Sequence, residues 1–104
     1  MSELIVDFIK QIPGDFESPR AMYKGKKYRT VFFLEDFKLA QFYEVGNELV
    51  RDWKKGDSFR SEAGTEYASM NLSLTPRSFI AVYHDQDTVS LEEAKSTLIE
   101  EINQ

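Results

Sequence analysis

The sequence predicts an α+β fold, a two-layer domain whose largely antiparallel four-stranded sheet carries helices mainly on one face, in the order helix, hairpin, long helix, hairpin, helix. Three observations predict it. Apolar residues recur at helical spacing in residues 5–12, 39–53 and 91–102. Two stretches between them are rich in β-branched and aromatic residues around turn-forming positions. A chain of 104 residues that is 41% hydrophobic has enough apolar surface for one core and not two, so residues 1–104 read as a single globular domain.

Ser2 is placed to cap a first helix whose Ile5, Phe8, Ile9 and Ile12 share a face and which Pro13-Gly14 ends. In "RAMYKGKKYRTVFFL" (20–34), Gly25-Lys26 suits a two-residue type II′ loop. That loop sets Lys24 opposite Lys27, Tyr23 opposite Tyr28, Met22 opposite Arg29 and Ala21 opposite Thr30. Asp36 opens the long helix, with Leu39, Phe42, Gly46, Leu49, Val50 and Trp53 along one face and Lys54, Lys55 and Gly56 closing it. A glycine within a helix costs about 1 kcal/mol relative to alanine, so Gly46 implies a close neighbour there.

After the polar loop "DSFRSEAGTE", residues 67–74 alternate, with Ala68, Met70, Leu72 and Leu74 on the expected core side and Tyr67, Ser69, Asn71 and Ser73 opposite. "TPRS" (75–78) reads as a turn into the strand "FIAVY", although Thr75-Pro76 would also start a helix. Ser90 and Glu93 then form a capping box for a helix with Leu91, Ala94, Leu98 and Ile102 on one face.

These registers collect Thr30, Phe32, Leu34, Met70, Leu72, Leu74, Phe79 and Ala81 beneath the helices. The opposite face then holds Arg29, Val31, Phe33, Ser69, Asn71, Ile80, Val82 and His84. Large apolar residues on an uncovered face mark association sites, so the leading expectation is a small non-catalytic binding module. Phe33, Ile80 and Val82 would form its apolar centre, Arg29 and Asn71 its polar contacts, and the partner would be another protein or a second copy.

Charge suggests a second expectation. One cation faces four carboxylates in residues 1–19, ten face six in 20–60, and two face eight in 61–104, for a net charge of −5. The basic middle, with Lys24, Lys26, Lys27 and Arg29 in "YKGKKYR", is the candidate for nucleic acid. A single-strand platform needs aromatics exposed beside its cations, whereas this register separates them. The third expectation is a small enzyme or metal site at "HDQD", where the single histidine, His84, adjoins Asp85 and Asp87. Three or four convergent ligands are normally needed, and a strand-to-helix turn favours Asp for local hydrogen bonding, so no metal is expected.

No cysteine, no G-x-S-x-G, no P-loop and no G-x-G-x-x-G occur. Triad hydrolysis and phosphate cradles are thereby argued against, and no cofactor is expected. The acidic start of the chain and the lack of a long apolar run lead to the expectation of a soluble, cytoplasmic protein without a membrane span.

Overall fold

A computed structural model describes residues 4–21 and 24–103. It contains eight strands and one helix: β1 (Ile5–Gln11), β2 (Phe16–Arg20), β3 (Tyr28–Phe33), β4 (Gln41–Val45), β5 (Glu48–Val50), β6 (Ser58–Glu62), β7 (Tyr67–Asn71), β8 (Arg77–His84) and α1 (Leu91–Ile102). The strands form two four-stranded sheets, ordered β1-β8-β3-β6 and β2-β7-β4-β5, with these strands paired antiparallel. The fold is therefore mostly β, and the predicted helix-hairpin-long-helix-hairpin-helix order is overturned.

Each departure has a local cause. Residues 5–12, expected as a helix capped by Ser2, form β1 instead, and Ser2 lies outside the described residues. Ile5, Val6 and Ile9 are β-branched, and the strand is apolar on both sides, which imitates helical spacing. The expected long helix is broken by left-handed backbone at Ala40 (φ 69°), Gly46 (φ 61°) and Asp52 (φ 61°). Gly46-Asn47 is the two-residue loop joining β4 to β5, with Val45 paired to Glu48, so Gly46 serves a turn rather than a helix contact.

No hairpin joins the strands around Gly25. The strand before it pairs with β7 in one sheet, whereas β3 pairs with β6 and β8 in the other. The turn has positive φ at Lys24 and Gly25, and the predicted pairs involving Met22 and Tyr23 lie outside the described residues. β7 and β8, also predicted as partners, belong to different sheets, and the polar loop after residue 56 contains β6.

The main core lies between the sheets. Val31, Phe33, Phe79 and Ala81 meet Tyr43, Val45 and Tyr67, with Trp53 closing one side. Phe33 stacks on Trp53 at 4.1 Å between centroids, and Tyr43 meets Phe33 and Phe79 edge-on at 5.6 and 5.7 Å. A second core covers the outer face of the first sheet, where Val6, Phe32, Ile80 and Val82 pack beneath Ala94 and Leu98 of α1. The helix keeps its capping box, in which the Glu93 amide donates to Ser90 Oγ at 3.1 Å and the Ser90 amide to Glu93 Oε1 at 3.0 Å.

The alternation in β7 is real, but its sides are exchanged. Tyr67, Ser69 and Asn71 point inward and are buried, whereas Met70 is exposed and Leu72 and Leu74 lie exposed beyond the strand.

Candidate functional site

The interior between the sheets is unusually polar. Antiparallel partners share a face, so Arg29 with Tyr83, Gln11 with Arg77, and the row Glu17, Ser69, Tyr43 all face inward. Arg29 is only 3% exposed. Its Nε donates to the Tyr83 hydroxyl at 3.2 Å and its Nη1 to the Tyr43 hydroxyl at 2.5 Å. Its guanidinium carbon lies 3.8 Å from the Tyr67 ring centroid. The buried Nη2 has no hydrogen-bond partner among the described residues.

Burial opposes the Arg29 charge, yet Tyr43, Tyr83 and Tyr67 more than offset it and hold the pKa above its ordinary value. Burial likewise raises the Tyr43 phenol, against the pull of Arg29, and pushes Tyr67 up to about 12, aided by its hydrogen bond with Tyr83. The cluster thus sets one permanent cation among phenols, of which Tyr43 and Tyr67 stay protonated at neutral pH. Glu17 is close enough to raise both Tyr43 and Tyr67 and to support the charge of Arg77.

Deeper along the barrel, Arg77 Nε donates to Gln11 Oε1 at 2.7 Å, Nη2 donates to the Phe42 carbonyl at 2.9 Å, and Gln11 Nε2 donates to Ser69 Oγ at 2.8 Å. Arg77 Nη1 is also buried without a hydrogen-bond partner among the described residues, and burial lowers this pKa to about 10, which leaves the group charged at neutral pH. Asn71 closes this end, donating to the carbonyls of Gln11 and Thr75 and accepting from Ser73.

The five residues expected to form one open binding face are divided between two buried places. Arg29, Phe33 and Asn71 lie inside the barrel, whereas Ile80 and Val82 lie under α1, so that face does not exist. The basic stretch is dispersed too. Arg29 is internal, Lys24 Nζ pairs with Asp7 at 2.6 Å, Lys26 Nζ lies 3.6 Å from Asp85, and the Lys27 amide donates to Asp85. These groups present no common platform of exposed cations and aromatics.

His84 is wholly buried on the outer face of the first sheet. Its Nδ1 lies 2.7 Å from the Gln86 carbonyl, which can only accept, and its Nε2 lies 2.7 Å from Thr30 Oγ1. Both ring nitrogens are engaged, Asp85 serves the Lys27 turn, and Asp87 binds Arg60 at 2.7 Å. Sequence reading missed Tyr43, Tyr67 and Tyr83 as neighbours of Arg29, and Glu17 as a neighbour of Tyr43, Tyr67 and Arg77. The usable signal was the period-two pattern of "QFYEV" together with Tyr67, Ser69 and Asn71, which places the phenols on the Arg29 side.

Two antiparallel sheets facing each other across such an interior define the double-stranded β-helix, or cupin, class of fold. No protein-family model matches the chain, and no curated protein matches it. Solved structures do. The chain is similar to a cupin domain from Bordetella pertussis Tohama I (16% identity, 83% of this chain and 85% of that one, TM-score 0.64). It also resembles a predicted oxalate decarboxylase from Thermotoga maritima (17% identity, 79% and 66%, TM-score 0.61) and KdgF from a Halomonas species (15% identity, 81% and 71%, TM-score 0.58).

With these cupin-fold structures as its neighbours and the proposed face dismantled, the expectation of a non-catalytic module working through that face is withdrawn. The donor set inside this barrel does not fit a divalent cation. Among the described residues its titratable groups are two guanidiniums, phenols and the single carboxylate Glu17, and no group of three His, Cys, Asp or Glu residues converges.

Proposed function

We propose that this chain is a cupin-fold enzyme that takes a small organic carboxylate into the barrel on Arg29 and performs proton transfer on it without a resident metal ion. The observation that carries the reading is the unpartnered, buried Nη2 of Arg29 amid three phenols. A buried guanidinium with a free N–H favours an anionic oxygen, and charge-assisted hydrogen bonds are the strong ones. The naming of one structural neighbour as a predicted oxalate decarboxylase is in keeping with a carboxylate substrate.

The roles follow from chemistry. Arg29 binds the carboxylate. Tyr43 accepts a hydrogen bond from Arg29, which leaves its own O–H to donate to an oxygen that gains negative charge. Glu17, whose position on β2 faces inward opposite Ser69, is the base. It removes a proton from the carbon beside the substrate carbonyl, the C–H electron pair becomes the C=C bond of an enolate while the carbonyl π pair moves onto oxygen, and after exchange with solvent at Glu17 a proton is returned to carbon. No oxidant or metal enters.

Calorimetry with a panel of small keto and hydroxy acids, paired with exchange of their carbon-bound hydrogens in heavy water, tests the reading. Arg29→Gln should abolish binding, whereas Glu17→Gln should keep binding and lose exchange. Failure of the whole panel to bind, or undiminished binding by Arg29→Gln, would refute it.

A further inference from the structure

Four turns at one end of the barrel are tied to one another. The Gly14 amide donates to the Asn71 carbonyl at 2.7 Å, and the Leu72 amide to the Ala40 carbonyl at 2.8 Å. Lys38 Nζ donates to Thr75 Oγ1 at 3.1 Å, and the Lys55 amide to Asp36 Oδ1 at 2.8 Å. Turns 12–15, 34–40, 51–57 and 72–76 therefore make one end surface. At its tips stand Ile12, Leu39 and Leu74, which are 54%, 86% and 95% exposed. Single apolar residues on a surface are ordinary, but three on linked turns, where turn chemistry favours polar residues, form a patch.

We propose that this end of the barrel docks on the surface of a lipid bilayer carrying anionic headgroups, with Ile12, Leu39 and Leu74 inserted among the acyl chains. Shape decides for lipid over protein. Side chains standing almost clear of their surroundings need matching pockets on a protein partner, whereas a fluid acyl layer closes round any projection. No helix among the described residues is long and apolar enough to cross a membrane, so the contact lies at the surface.

Charge agrees with that choice. Asp15, Asp36 and Asp57 are engaged within the turns, accepting from the amides of Ile12 at 3.1 Å, Lys55 at 2.8 Å and Lys54 at 2.9 Å. Lys38, Lys54 and Lys55 are exposed and have no ion pair among the described residues, so their ammonium groups can meet lipid phosphates while their stems lie along the apolar layer. The ion pairs Lys24–Asp7, Lys26–Asp85 and Arg60–Asp87 lie toward the opposite end. The four turns hold four cations and five carboxylates, so most of the net charge of −5 lies elsewhere and faces away from the bilayer.

The three tips expose about ten side-chain carbons, somewhat fewer than a myristoyl chain, whose own binding is marginal and reversible at about 10⁴ M⁻¹. Each lysine near an anionic surface adds about fivefold. Docking is therefore reversible and needs both parts.

Sedimentation of the full chain with vesicles of phosphatidylcholine, alone or with about 30% phosphatidylserine, tests this. At about 1 mM lipid most of the native protein should pellet with the serine-containing vesicles, and the zwitterionic ones should hold it at least about tenfold more weakly. Leu39→Asp with Leu74→Asp should lower partitioning at least about tenfold, with an unchanged circular dichroism spectrum because both side chains are exposed. Lys54→Gln with Lys55→Gln should lower binding to the anionic vesicles about 25-fold and leave binding to the zwitterionic ones unchanged. Native protein that stays in the supernatant of both vesicle types would overturn the inference, including the case where the tips hold another protein. Undiminished pelleting of the folded leucine variant, or equal binding to the two vesicle types, would also overturn it.

Discussion

Replacing Arg29 by methionine separates a site residue from a strut. The variant loses two hydrogen bonds from a charged donor, to Tyr43 at 2.5 Å and Tyr83 at 3.2 Å, at about 1.5–3 kcal/mol each. It also loses the cation–π contact with Tyr67, worth about 1–2 kcal/mol, part of which a thioether on the same ring recovers. Against this stand relief of the several kcal/mol spent on desolvating a guanidinium and removal of the unsatisfied Nη2, worth about 1–3 kcal/mol. The two sides cancel to within about 2 kcal/mol, or roughly 10 °C in Tm for a domain of this size. Urea unfolding should show a small shift in midpoint at constant m. A loss beyond about 4 kcal/mol would mean that the fold needs Arg29 as a structural support, and the case for a functional cation in the barrel would fail.

Ile80→Asp with Val82→Asp should abolish folding, because each carboxylate would be buried under α1 beside Ala94 at a cost above about 4 kcal/mol; a folded double variant by circular dichroism would contradict the second core. Gly46→Val should lose about 1–2 kcal/mol from left-handed backbone strain alone, since a β-carbon there meets only Thr65 Cγ2 at an ordinary 3.6 Å; an unchanged urea midpoint would contradict the turn. In an alkaline titration followed by tyrosinate absorbance, Tyr67 should ionise near pH 12, and Tyr67→Phe should remove that late step. The raised Tyr67 pKa contributes stability that is complete below its ordinary value of about 10 and is lost as pH climbs towards 12. Arg77, lowered to about 10, acts in the opposite sense over that window, so absorbance rather than melting temperature is the readout.

The parts legible in the sequence are those set by local chemistry. The Ser90–Glu93 box announces α1, and β-branched and aromatic runs announce β3 and β8. Strand partners were not legible, because they are chosen by contacts far along the chain. The false long helix has a particular cause. Leu39, Phe42 and Leu49 are apolar yet exposed, and their spacing imitates a buried helical face, whereas the buried residues of β4 are Gln41, Tyr43 and Val45. The same inversion hid half the site, since β7 turns Met70 outward and Tyr67, Ser69 and Asn71 inward. Arg29 reads as exposed because a lone arginine on a strand is ordinarily solvated, and only the phenols of three other strands explain its burial.

The pairings are nested: β1 with β8, β2 with β7, β3 with β6. As the chain leaves the ribosome, the first strand is made long before its partner, and at about 5–20 residues per second it waits several seconds with an unpaired edge. The first sheet cannot close until Arg77–His84 emerges, for that strand joins β1 to β3. Such dependence on distant pairings predicts slow folding, on the scale of milliseconds to seconds, and a need for chaperone cover during synthesis. A circular permutant that begins at β8 would carry that strand ahead of β1 with only α1 between them, and its faster folding would arise from the shorter sequence separation of that pair, with the finished barrel unchanged.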